Sequence, residues 1–368
     1  MYSKQDLENS FQLLLERAKW KRRVPLALSN QDAFTNPAHV SQLPIGSDGM
    51  KTTTFLKNPD LHYREMLRKL KNHAEDPEKP YHFRPVREDK KFSKSGKSRL
   101  IYCYSLVDQI VLKTVQQELK QGWGKAYSVH QHPMDTAILI TQEIEKAGPG
   151  TQILKVDITK FFPSINREIL FTDLAKETGI RPEVRTLIIT ANSLANTTGV
   201  VTGGSLSTFL SEFYLRNLKS TFPTEIGFHR FADDMCLVIP KSFDPHVIKQ
   251  KLIDELALLS LSLSAEKSKI IDPFTEDFEF LGINFIAGRP IITEDEVEHW
   301  KSKVQQDVYS EKGKLRTYKM LNPELQNLPS GKDIQNTVWS QHLTGKRSRF
   351  QIKYAKYVRY FGPIKKSN

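Results

Sequence analysis

The 368-residue chain is 39% hydrophobic and 26% charged, the balance of an ordinary water-soluble protein with more chain than one compact core needs. No apolar run approaches the roughly 20 residues that span a bilayer, and its two cysteines, Cys103 and Cys236, match no zinc spacing. The net charge of +12 is uneven: residues 301–368 hold 15 Lys and Arg against 4 Asp and Glu, so the rest of the chain is nearly neutral. Charge gathered in this way is an electrostatic footprint, first for nucleic acid and second for an anionic membrane surface. The opening residues carry acids and no small-residue cleavage pattern, so a signal peptide is not expected and the setting reads as reduced and cytoplasmic.

Residues 4–18 place Leu7, Phe11, Leu14, Leu15 and Ala18 on one helical face, ahead of the basic run "KWKRR". This predicts a docking helix whose basic end is solvated or touches nucleic acid. Residues 24–60, rich in Pro, Asn, Ser and Gly, read as loop, and another helix is expected around 61–75. "FRPVREDKKFSKSGKSRLIYCYS" reads as two strands joined by a basic turn. "LVDQIVLKTVQQELKQGW" has helical periodicity through Val107, Ile110, Val111, Thr114 and Val115. "TQILKVDITKFFPSI" is a short apolar strand ending in a carboxylate and an aromatic pair. Helices are expected around 167–195, then a Gly-rich turn, "GVVTGGSLS", running into another helix. "HRFADDMCLVI" reads as a hairpin, 244–262 as an amphipathic helix, and "FEFLGINFI" as a strand pair. From about 293 the chain is expected to be mostly helical and basic. Irregular alternation of strands and helices argues for an α+β fold with antiparallel pairs.

The chemistry is concentrated in three carboxylates. Asp157 ends one apolar strand, and Asp233 and Asp234 interrupt another. Adjacent like charges repel, so the pair needs a turn, a cation or both. A hairpin turn at "DD" would aim these groups at Asp157 on a neighbouring strand and create a site for Mg²⁺, with Mn²⁺ as a possible substitute. Two such ions about 4 Å apart clamp the attacking and leaving oxygens of an in-line phosphoryl displacement. The plain alternative is an exposed turn. Phe161 and Phe162 are core aromatics or, for one of them, part of the site. In "RFQIKYAKYVRYF", Lys353, Lys356 and Arg359 recur every three residues, each followed by a tyrosine: Tyr354, Tyr357 or Tyr360. On a helix this makes a basic ridge beside an aromatic ridge, suited to holding nucleic acid or to docking with its tyrosines inward.

The order "VDITKFFPSI", "GVVTGGSLSTFLSEFYL", "FADDMCLVI", "LSAEKSKII", "FEFLGINF" resembles the palm motifs A to E of reverse transcriptases. Upstream, "KSGKSRLIYCYSLVDQIVLKTVQQEL" and "AYSVHQHPMDTAI" resemble the fingers of bacterial members, retron-type and defence-associated, and the resemblance runs over residues 80–290. It implies a right-hand polymerase fold: an N-terminal helical extension at 1–80, fingers at 81–150, and a palm at 151–290 with an antiparallel sheet and helices on one face. A basic, mostly helical thumb or RNA-binding lobe would occupy 291–368.

The resemblance further implies that Asp157 and Asp233 ligate both catalytic ions with the carbonyl of Ile158, while Asp234 assists. Phe162 would be the steric gate that rejects a ribose 2′-hydroxyl, a specificity built on repulsion. Lys97 and Arg99 would grip the incoming triphosphate, with Lys94 beside them; Thr202 and Gly203 would lie near the nucleotide. Lys267 would donate a proton to pyrophosphate, and Phe280, Leu281 and Gly282 would form the primer grip. Val201 and Thr202 stand where the family commonly has proline and glutamine, and Phe231 replaces the usual tyrosine. The implied activity is RNA-directed DNA synthesis from dNTPs on an RNA template, a dedicated non-coding RNA in antiviral defence. The DNA strand is the product, a homo-oligomer or partner protein is possible, and no membrane is involved. A retron enzyme, a template-independent nucleotidyl transferase and a non-catalytic RNA-binding scaffold are the alternatives. No "VTG" occurs in the C-terminal lobe, where retron enzymes usually carry one.

Overall fold

The computed structural model describes residues 2–21, 46–76, 78–92, 98–127, 132–195, 197–292 and 349–361. The 293–348 stretch, expected to be mostly helical, therefore lies outside the described residues, as do Lys94 and Lys97.

Helix α1 (Lys4–Lys21) begins with a reciprocal cap. Ser3 Oγ accepts from the Asp6 amide at 3.2 Å, and Asp6 Oδ2 accepts from the Ser3 amide at 2.8 Å. Its predicted apolar face is buried at Leu7, Phe11 and Leu15. That face packs on α4 (Leu106–Tyr127), where the hydroxyl of Thr114 donates to Ser10 Oγ at 2.9 Å. The loop expected over 24–60 is interrupted by α2 (Thr52–Lys57), directly ahead of α3 (Pro59–Glu75). Burial overrides the weak helix propensity of "TTTFLK": Phe55 is fully buried, its ring 4.8 Å from Phe11 and 4.9 Å from His62. Helix α4 has a serine cap, which sequence reading overlooked: Ser105 Oγ accepts from the Asp108 amide at 3.1 Å and donates to the Asp108 carboxylate at 2.6 Å. The buried Asp108 also accepts from Tyr81 Oη and the Arg84 amide, both at 3.0 Å, tying the approach to the next hairpin onto α4.

Strands β1 (Arg87–Phe92) and β2 (Ser98–Cys103) form the expected antiparallel hairpin. After α5 (Pro133–Ala147) comes β3 (Gln152–Asp157), then α6 (Phe161–Ser164), α7 (Arg167–Lys176), α8 (Pro182–Ser193) and α9 (Ser207–Tyr214). Strands β4 (Gly227–Phe231) and β5 (Asp234–Ile239) follow, then α10 (Pro245–Leu258) and β6 (Lys269–Ile271). These strands make an antiparallel sheet in the order β4-β5-β3-β6. A smaller sheet joins β7 (Phe278–Phe280), β8 (Ile283–Ile286) and β9 (Arg289–Ile291).

Side chains of β3 and β5 alternate between two cores. Leu154, Val156, Met235 and Leu237 join the larger one with α1, α4, α8, α9 and α10. Ile153, Cys236 and Val238 join a second with α5 and the smaller sheet. The expected cover of helices on one face is thus matched by a second cover on the other, dictated by "MCLVI", whose unbroken apolar run needs burial on both sides. The last described element, α11 (Arg349–Phe361), packs on α5.

The N-terminal helix is further held by Tyr2, whose hydroxyl donates to Glu118 Oε2 at 2.5 Å, and Glu118 accepts from Arg181 Nε and Nη2 at 2.9 and 2.8 Å. Burial pushes the Glu118 carboxyl up, but hydrogen bonds from Arg181 and Tyr2 outweigh it and hold it below the usual glutamate value. A depressed folded-state pKa stabilises above the unfolded pKa, and that contribution is lost as pH falls through the folded value. Acidification below about pH 5 is therefore expected to loosen α1 before the four-stranded sheet. Amide exchange should show protection at Leu7–Leu15 failing ahead of the β3–β5 ladder.

Candidate active site

The β4–β5 hairpin turns through Ala232 and Asp233, with Phe231 paired to Asp234. Ala232 has φ of 56°, a left-handed conformation that right-twisted two-residue hairpins require and that an L-residue rarely adopts. The turn sets Asp233 at the tip and leaves Asp234 as the first residue of β5. In the β3–β5 ladder, Asp157 stands directly opposite Asp234. The amide of Ile158 donates to the Asp233 carbonyl at 3.3 Å, so the backbone itself locks the turn to the end of β3. Asp157 is 8% exposed, Ile158 is buried, and Asp233 and Asp234 are half-buried.

This placement has an electrostatic cost. Burial, then the charges of Asp233 and Asp157, push the Asp234 carboxyl above the usual aspartate range. Lys267, in the turn before β6, places its ammonium on Asp157 Oδ2, and that bond raises the lysine's own pKa. Among the described residues no group of three or more His, Cys, Asp or Glu side chains is placed to hold a metal ion. The donor chemistry nevertheless fits a hard divalent cation. All the donors are oxygens, and burial together with the charges of Asp233 and Asp157 keeps the Asp234 carboxyl raised although Lys155 and Lys267 act the other way.

Two supports around the carboxylates were missed in the sequence. Arg230, on β4, forms a bidentate ion pair with Glu212 of α9 at 3.1 and 2.5 Å, with side chains only 11% and 4% exposed. Arg230 Nη1 also reaches the Ala232 carbonyl at 3.4 Å, so the pair anchors the hairpin turn to the helix behind it. The only sequence signal was a charge inside each of two apolar elements. His229 is likewise paired, with Nε2 2.6 Å from Glu143 Oε2 of α5.

The other predicted residues are distributed as follows. Phe161 is 2% exposed in the larger core, while Phe162 is half-buried with its ring centroid 5.4 Å away. The carbonyl of Thr202 accepts from the Tyr102 amide at 3.0 Å, joining the Gly-rich loop to β2. Gly203 has φ of 96°, and a Cβ there would meet Ile101 Cβ at 3.4 Å. Arg99 is on β2 opposite Lys91. Leu281 and Gly282, with φ of 54° and 73°, make the β7–β8 turn, and Phe280 is buried beside it. On α11, Lys356 is paired with Asp135, Tyr357 packs against the second core, and Lys353 Nζ is 3.4 Å from the Gly282 carbonyl. Arg359 is exposed and Tyr354 lies on the same helix. The predicted basic ridge is thus split, with Lys356 and Tyr357 committed to docking the helix.

Residues 65–285, more than half of the chain, match the sequence profile of the reverse transcriptase (RNA-dependent DNA polymerase) family. The chain belongs to that family. Its described helices and antiparallel sheets are therefore those of a right-hand polymerase fold. No curated protein sequence matches the chain. Among solved structures it is similar to apo telomerase from Candida tropicalis truncated from its C-terminal domain, at 14% identity and a TM-score of 0.42. The overlap covers 57% of this chain and 54% of that one, so the chain spans about half the length of the telomerase it matches.

Removing one member of the buried pair strands the other charge, which costs about 3–5 kcal/mol. Arg230→Met is expected to lower unfolding free energy by that order in denaturant titration. Arg230→Met/Glu212→Met should recover most of the loss, because no buried charge is then left unpaired.

Proposed function

We propose that the chain is an RNA-directed DNA polymerase that extends a primer 3′-hydroxyl, or a protein hydroxyl, with dNTPs. The observation that carries this reading is the pairing of Asp157 with Asp234 across the central ladder, with Asp233 at the adjoining turn. Asp157, Asp233 and the Ile158 carbonyl would hold Mg²⁺, with Asp234 contributing charge. Bound divalent ions supply charge neutralisation and alignment of the attacking and leaving oxygens. The chain's own contribution is position. The ladder fixes Asp157 and Asp234, the Ala232 turn presents Asp233, and Lys267 offers a mobile cation that is 64% exposed at its side chain. Once displaced from Asp157, that ammonium is available to give a proton to departing pyrophosphate.

Phe162 would stand under the incoming sugar, Arg99 and Lys97 would hold the triphosphate, and Thr202 and Gly203 would line the nucleotide from the palm side. The Leu281–Gly282 turn would press on the primer, with Lys353 and Arg359 left to contact the nucleic-acid backbone. The resemblance of the motif order to bacterial defence-associated and retron-type enzymes supports a dedicated non-coding RNA as template and a role in antiviral defence.

Purified protein with its co-purified RNA should incorporate dNTPs in Mg²⁺ or Mn²⁺ into a product complementary to that RNA. Asp233→Asn is expected to lower incorporation by at least about a thousandfold, since charge stabilisation and positioning are most of what this chemistry needs. Undiminished product from Asp233→Asn would sink the catalytic assignment. Product of unchanged sequence after RNase treatment would instead identify template-independent synthesis.

A further inference from the structure

Residue 162 rides on a single-turn helix that cannot hold itself in place. Helix α6 is entered through Lys160 with φ of 46°, and its ends are joined by the Ser164 amide to the Lys160 carbonyl and the Ile165 amide to the Phe161 carbonyl. Its last carbonyls need outside donors, as helix ends do. Both come from one short segment: the Val200 amide donates to the Phe162 carbonyl at 2.9 Å, and Thr198 Oγ1 donates to the Pro163 carbonyl at 2.9 Å. Between these donors, Gly199 lies so close that a Cβ would meet the Phe162 carbonyl oxygen at 2.0 Å and the Pro163 carbonyl carbon and oxygen at 2.6 Å. All of those atoms are backbone, so no side-chain rotation relieves the overlap.

The far side of the segment is rigidly held. Val200 and Val201 are buried in the larger core. Arg167 Nε donates to the Gly199 carbonyl at 2.8 Å, and its Nη2 donates to the Asn192 carbonyl at 2.5 Å. The buried Asn192 side chain in turn accepts from the Val201 amide at 3.3 Å. One surface is therefore anchored, and the other sets where the Phe162 backbone stops. The ring lies beside Phe161, packed against the larger core and half-buried.

The geometry points to Thr198–Val200 as the element that positions Phe162 and thereby sets discrimination between deoxyribose and ribose. The absent side chain of Gly199 is the determinant. This rests on the polymerase reading of the site. Gly199 and Thr198 are positioning residues, acting through Phe162 without touching the nucleotide.

The test compares kcat/KM for a dNTP and the matching rNTP on one primer–template. Gly199→Ala should lower the dNTP:rNTP ratio on the order of tenfold, because a displaced positioning group loses orientation that steeply. Thr198→Val, which removes one hydrogen bond, should lower it about threefold. Both changes should appear chiefly in KM for the rNTP, with dNTP kcat within a few-fold of wild type. In the Phe162→Ala background, where the ring is gone, Thr198→Val should leave the ratio unchanged. If Gly199→Ala fails to fold, Thr198→Val and its double variant decide the matter alone. Folded variants with the wild-type ratio, or with equal losses for both sugars, overturn the positioning role and leave the polymerase reading intact. A wild-type protein that incorporates no dNTP overturns that reading and the sugar-selection role with it.

Discussion

Like charges held together by strand register are what the rest of this structure is arranged around. Asp157 and Asp234 face each other across the ladder because β3 and β5 share an apolar register, and Asp233 follows from the tight turn. Left to themselves, carboxylates placed together favour protonation or separation, and the Asp234 pKa is raised by burial first and then by the charges of Asp233 and Asp157. The fold opposes it with burial of both sheet faces. Slipping β5 by one residue to part the charges would move Met235 and Leu237 out of one core and Cys236 and Val238 out of the other. The hydrophobic pattern on both faces therefore maintains an electrostatic arrangement that is unfavourable on its own.

Stiffness around the carboxylates comes from polar groups placed behind them. The buried Arg230–Glu212 pair contributes little net stability, since desolvation consumes most of the Coulombic gain. Its use is directional: a two-pronged guanidinium on one carboxylate fixes the orientation of β4 against α9 at the point where the chain enters the strained Ala232 turn. The Gly-rich segment works differently. There, close backbone approach without side chains lets one loop serve α6 at Gly199 and β2 at Thr202. The aromatic turn and the β1–β2 hairpin are thus referenced to the same strip of backbone.

The carboxylates, the aromatic pair, the hairpins and most helices were legible in the sequence because each is a local pattern: alternation, helical spacing, or a charge inside an apolar run. Helix α2 was not, because its driving force is the burial of Phe55 against His62 of the next helix and against Phe11, far away in the chain. The Arg230–Glu212 pair was hidden for a related reason. An isolated charge in "HRFADD" or "LSEFYL" reads as solvent-facing until its partner is found in space. Gly199 looked like one glycine among several in a turn. Only the proximity of the Phe162 and Pro163 carbonyls separates it from Gly204, whose added Cβ would make ordinary contacts. Periodicity marks which face is buried, while the identity of the covering element is tertiary information.

The C-terminal helix shows how one pattern can serve two ends. Its repeat puts a cation every third residue, which on a helix drifts round the axis rather than staying on one line. Successive positions therefore meet different surroundings. Lys356 finds Asp135 on α5, Tyr357 enters the second core, and Arg359 stays in solvent. The inward members tie α11 to α5, the helix that also lies against β8 and β9. Lys353 meets the carbonyl of Gly282 in the turn where two successive residues have positive φ. A displacement of α11 would thus be felt at the Leu281–Gly282 turn and, through α5 and Glu143, at His229 on the strand that carries the carboxylate hairpin. The same helix that presents Arg359 to solvent is thus linked, through α5 and Glu143, to the sheet that carries Asp157 and Asp233.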